Sequence, residues 1–302
     1  MLTAAIASAI SVLAMASLKR SAGMTWLNSA CVVGIGVGLS AGYHVLALRL
    51  TWPPVSGLNR FLTIVIPAAV AIELAAGFES VPHWFAWSLR LGLAATIPRI
   101  LLHNSVYLSD SDFTWPLWQA SLILVGCGVL VAALWSLLTW LNQRSSGVSI
   151  PLALSLTIQC AGITIMLAGY IKGGAAAFPL AATLAATTGG TWLISKRSGT
   201  SPRICNPAII GIGVVGLSGL LLIGRFFGEL STTSALTMLL APLLCWVTET
   251  PWLRNRKPWL VGLIRLVLVA IPLLWVLAEA KSDFDRDMAP LLTHASVATS
   301  GF

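Results

Sequence analysis

Charge is scarce in this chain. Asp, Glu, Lys and Arg make up 9% of its 302 residues, against roughly a quarter in a soluble domain. A water-soluble monomer cannot cover its surface with so few charges, whereas a bilayer removes the need for polar cover. Cysteine offers no framework. The five, Cys31, Cys127, Cys160, Cys205 and Cys245, are odd in number, four lie in apolar runs, and no CxxC occurs. That pattern supports neither a disulfide scaffold nor a thiolate zinc site. HExxH, GxSxG, P-loop and haem-attachment motifs are missing as well, so no enzyme class has a motif behind it and no cofactor is implied. No basic residue precedes the apolar run at 2–18, and Lys19-Arg20 follows it instead. That order argues against a signal peptide and for a first membrane helix with its N-terminus outside.

What the chain has is apolar length. Hydrophobic residues make up 57% of it, and a spanning helix needs about 20 mostly apolar residues in a row. Ten runs qualify, near 2–18, 26–48, 61–78, 84–102, 117–141, 149–171, 175–195, 207–224, 233–252 and 259–279. Pro53-Pro54, Pro116, Pro151 and Pro258 fall in connections or at helix starts, where a missing N–H costs little. The expected fold is an all-α integral membrane protein of about ten transmembrane helices, one polytopic domain over residues 1–302.

The net charge of +8 would suggest nucleic acid in a soluble protein. Here the basic residues sit singly or in twos and threes between apolar runs, which is the signature of membrane topology. With the N-terminus outside, nine fall on the inner side (Lys19, Arg20, Arg144, Lys196, Arg197, Arg203, Arg254, Arg256, Lys257) and six on the outer (Arg49, Arg60, Lys172, Arg225, Lys281, Arg286). The excess favours both termini outside, most simply in a plasma (inner) membrane. Trp26, Trp52, Trp84, Trp115, Trp118, Trp140, Trp252 and Trp259 fall near segment ends, where interfacial belts form.

The chain also repeats itself. KRS at 19–21 recurs at 196–198, and VVGIGVGLS at 32–40 is answered by IIGIGVVGLS at 209–218. Further matches are LT at 62–63 and 236–237, Pro67 and Pro242, Trp84 and Trp259, Arg90-Leu91 and Arg265-Leu266, Ile97-Pro98 and Ile271-Pro272, and SDF at 111–113 and 282–284. They are collinear, with an offset drifting only from 177 to about 171, which points to duplication. Helices 1–4 then correspond to helices 7–10, six spans later. Six is even, so the copies run in the same direction and the repeat is parallel, not inverted. One unit covers 1–117, a two-helix insert 117–171, and the second unit 175–292.

Charges inside a bilayer are costly and mark the first place to look for a site. Glu73 and Arg90 face each other across a short turn, and so do Glu249 and Arg265 in the second copy. Each can form an ion pair that either pins a helix hairpin or lines a solute path. Arg99, followed by His103, can snorkel outward or contact an anion. Gly34, Gly38 and Gly42, with Gly211, Gly216 and Gly219, supply small-residue surfaces for close helix packing. Asp110, Asp112, Asp283 and Asp285 form acidic clusters expected in outer loops, where they either face solvent or hold a divalent cation.

Three functions fit these features. The first is a permease or channel for a small solute or ion, with membrane lipids and that solute as partners. The second is a non-catalytic membrane scaffold or assembly subunit. The third is a membrane transferase that uses the outer-loop aspartates.

Overall fold

The computed structural model describes residues 1–18, 24–48, 51–105, 107, 116–145, 147–197, 207–250, 253 and 257–299. Among these the chain is helical, with no strand. We number ten helices. They are α1 (Leu2–Leu18), α2 (Met24–Val45), α3 (Gly57–Ala76), α4 (His83–Leu102), α5 (Leu117–Arg144), α6 (Ser149–Leu167), α7 (Ile171–Arg197), α8 (Pro207–Phe227), α9 (Thr232–Glu249) and α10 (Pro258–Thr299). Nine of them, α2 to α10, are long and apolar enough to cross a membrane, which is the make-up of an integral membrane protein.

Of the ten runs read from the sequence, the first, already the shortest, falls below the length of a span. Helix α1 has 17 residues, so at 1.5 Å per residue it is about 25 Å long, short of a hydrocarbon core of about 30 Å. It is still part of the bundle. Ala4, Ser8 and Val12, spaced one turn apart, are fully buried. They lie against the small-residue face of α2: a Cβ on Gly34 would meet Val12, one on Gly38 would meet Ser8 and Thr183, and one on Gly42 would meet Ala4 and Pro179. Glycine at these positions lets α1, α2 and α7 approach closely, and the Ser8 and Thr187 hydroxyls hydrogen-bond across the α1–α7 contact at 2.7 Å.

Helix α8 is the centre. It is apolar on every side from Ala208 to Gly224 and buried nearly throughout, as an all-round apolar helix must be. Three of its glycines receive side chains from three different helices: Gly213 lies against Leu154 of α6, Gly216 against Leu180 of α7, and Gly219 against the Phe61 ring of α3. Helices α5 and α10 sit at the periphery. Leu122, Val125 and Val129 on α5, and Leu263, Val267, Ile271, Leu274 and Trp275 on α10, are exposed, an apolar outer surface of the kind that suits an integral membrane protein.

Two helices change their winding while staying continuous. In α3, residues Phe61–Val65 form a π-helical turn in which the Ile66 amide bonds the Phe61 carbonyl, five residues back. Pro67 follows at once. In α9, Ala241–Glu249 winds as a 3₁₀ helix with Pro242 near its start. Proline removes one intrahelical donor and crowds the preceding turn, and the backbone relaxes by loosening in α3 and tightening in α9.

Helix α10 runs on to Thr299, so Asp283 and Asp285 lie on a helix and not in an outer loop. The physical reason is local. Residues 279–289 contain no glycine or proline, and Asp283 pairs with Arg286 one turn on, at 3.7 Å on the exposed face.

Candidate functional site

The first charge pair joins the second half of α3 to the first half of α4. Arg90 Nε donates to Glu73 Oε1 at 2.9 Å and Arg90 Nη2 to Oε2 at 2.7 Å. Glu73 is fully buried and Arg90 is 5% exposed. This two-pronged geometry satisfies the carboxylate more completely than a lysine would. The guanidinium also lies over the Trp87 ring, 5.3 Å from its centroid.

Gly211 of α8 makes the room. A Cβ there would collide with Glu73 Oε1 and come within 3.0 Å of Trp135 Cζ2. The carboxylate cannot retreat without releasing Arg90. Gly211→Ala is therefore expected to destabilise the protein by about 1–3 kcal/mol, read as a lower thermal midpoint in detergent. Gly92→Ala, where a Cβ meets nothing within 4 Å, serves as the neutral control.

The second pair is built differently. Arg265 Nη2 donates to Glu249 Oε1 at 2.8 Å, but Glu249 is more open, its side chain 20% exposed. Arg265 is itself buried and spreads its donors over three hydroxyls: Thr248 at 2.6 Å, Ser149 at 3.1 Å and Ser145 at 2.5 Å. Ser145 and Ser149 flank the turn between α5 and α6, so the second arginine ties that turn to the α9–α10 hairpin.

A third buried arginine escaped the sequence reading, which counted it among outer-segment charges. Arg60, 8% exposed, points its guanidinium at the His103 carbonyl and at the Val55 carbonyl. His103 caps the C-terminus of α4, so Arg60 places a positive charge where helix carbonyls are left over. The signal was available: Arg60 immediately precedes the apolar run at 61–78. His103 contributes its backbone, while its ring and the Arg99 side chain are exposed.

Beside the π-helical turn of α3 lies a groove of about 540 Å³ whose lining includes Tyr43, His44, Leu62, Ile66 and Pro67. The Tyr43 hydroxyl is buried there without a partner among the described residues. On α5, Trp135 Nε1 and Thr139 Oγ1, one turn apart, are buried and likewise unpartnered. None of the four paired charges lines this groove.

Asp110 and Asp112 lie outside the described residues. Asp283 helps to line a cleft of about 290 Å³ together with Glu229, Glu279, Asp287 and Arg286, but among the described residues no group of three or more His, Cys, Asp or Glu is placed to hold a metal ion. Compared with protein-family models, with curated proteins and with solved structures, the chain matches none.

Proposed function

We propose that this chain is a permease or channel for a small solute, inserted in a membrane as two like-oriented units, α1–α4 and α7–α10, with α5 and α6 between them. The observation that carries this reading is a matched pair of irregularly wound helices. Helices α3 and α9 hold corresponding positions in the two units. Each departs from α-helical winding beside a proline, Pro67 or Pro242, and each carries the glutamate of an ion pair within its inner half. Irregular helices in corresponding positions of two repeats suit a transporter's binding site, because loosened or tightened turns and buried charges lie close together there. The unpartnered donors Trp135 Nε1 and Thr139 Oγ1 support a polar species passing close to the first pair.

A second reading has its own observation. Both pairs are closed, and three of the four charged side chains are almost fully buried. A scaffold whose charges only pin its hairpins has that property.

Cys245 separates the two. It is fully buried, in the 3₁₀ segment of α9 one turn before Glu249. Cys31, Cys127, Cys160 and Cys205 are replaced by alanine, and membrane vesicles are treated with a membrane-impermeant thiosulfonate. A permease that opens at the 3₁₀ segment of α9 is expected to expose Cys245 to the reagent in the folded chain. If Cys245 reacts only after denaturation, the core is sealed and the scaffold reading stands.

A further inference from the structure

We propose that the groove between α5, α8 and α9 is a binding site for an anionic diacyl phospholipid. The groove is about 270 Å³, and its lining, with Leu130 from α5, Leu222 from α8 and Leu236 from α9 among it, is apolar apart from Ser218, Arg225 and Thr232. It sits on the outside of the bundle, next to the exposed apolar stripe of Leu122, Val125 and Val129, so lipid chains reach it directly.

Two polar groups set the occupant. Arg225, exposed at the end of α8, donates from Nε to the Thr232 hydroxyl at 2.8 Å. That bond holds the guanidinium at the mouth of the groove and leaves its Nη groups for an anion. Seven residues deeper along α8, about 10 Å at the helical rise, stands Ser218. It is 2% exposed, and its hydroxyl has no partner among the described residues. A hydroxyl left unpaired in an apolar interior is costly, so a group that accepts its proton is favoured there. A diacyl phospholipid presents its parts in the matching order: a phosphate at the mouth, an ester carbonyl below it, then an acyl chain along Leu130, Leu222 and Leu236. A net negative head suits Arg225, because a choline head would bring its own cation to the same place.

The site requires insertion in a membrane but not transport, so it stands or falls apart from the Cys245 result. The test uses the full chain in nanodiscs that contain phosphatidylglycerol with a photoreactive diazirine in one acyl chain. Adducts are mapped by peptide mass spectrometry. The expected result is labelling of 123–131 and 232–240 that unlabelled phosphatidylglycerol competes away and phosphatidylcholine does not. A diether phosphatidylglycerol, which lacks the ester carbonyls, is expected to compete less well. Arg225→Gln is expected to reduce labelling about tenfold, the loss of one charge-assisted contact, and Ser218→Ala to remove the advantage of the ester over the diether lipid. Arg144→Gln, at the opposite end of α5, leaves labelling unchanged. Competition by phosphatidylcholine as effective as that by phosphatidylglycerol overturns the proposal, and so does full labelling of Arg225→Gln. If Arg225→Gln fails to fold, the competition on the unaltered chain decides.

Discussion

Glu73→Leu is expected to destabilise the protein by about 3–5 kcal/mol, the range for stranding one partner of a buried ion pair. The Arg90 guanidinium, at 5% exposure, would lose its carboxylate partner and keep the Trp87 ring face as the contact named above. The measurement is the thermal midpoint in detergent, followed by tryptophan fluorescence. Adding Arg90→Met is expected to recover most of the loss, since two apolar side chains of similar volume replace two charges. The double replacement is a better probe than exchanging the charges, because Gly211 backs directly onto the Glu73 carboxylate and leaves no room for an arginine at position 73. The double variant also bears on function. A pair that only pins α3 to α4 leaves Cys245 labelling unchanged when both members are apolar, whereas a pair that gates the path alters it. A neutral Glu73→Leu single variant would mean that the pair carries no such stability.

Helices α2 to α10 were legible because each of their apolar runs is long and bounded by prolines, charges or tryptophans. Their ends were less so. Helix α10 overshoots its apolar run by some twenty residues, because hydropathy marks where lipid contact stops and not where helix-forming residues stop. The Glu–Arg pairs were legible because a short turn holds two neighbouring helices together, so side chains at equal distances from it meet at equal depth. What surrounds them was not. Ser145 and Ser149 reach Arg265 across more than a hundred residues of sequence, and Gly211 reaches Glu73 from another helix altogether. No periodicity records such contacts. The prolines were visible in the sequence, yet whether each helix loosens or tightens beside its proline depends on packing: α3 must fit the Phe61 ring against Gly219.

The second pair should respond asymmetrically. Arg265→Leu is expected to cost about 3 kcal/mol or more, because it removes four hydrogen bonds at once and leaves the Glu249 carboxylate without its cation. Glu249→Gln is expected to cost only about 1 kcal/mol. The glutamine oxygen can still accept from Nη2, and the three hydroxyls keep the guanidinium satisfied. The two variants should differ in where they act as well as in how much. Arg265 hydrogen-bonds Ser145 and Ser149 at the α5–α6 turn from α10, so Arg265→Leu should raise amide hydrogen exchange at Gly147–Leu152, measured by mass spectrometry in detergent, while Glu73→Leu leaves that segment protected. The Ser149→Ala variant, which deletes one of the three hydroxyls, should fall between. Equal damage from Glu249→Gln and Arg265→Leu would count against this arrangement. It would mean that the carboxylate, and not the hydroxyls of Thr248, Ser149 and Ser145, holds Arg265 in place, and that the two pairs are mechanical equivalents despite their different surroundings.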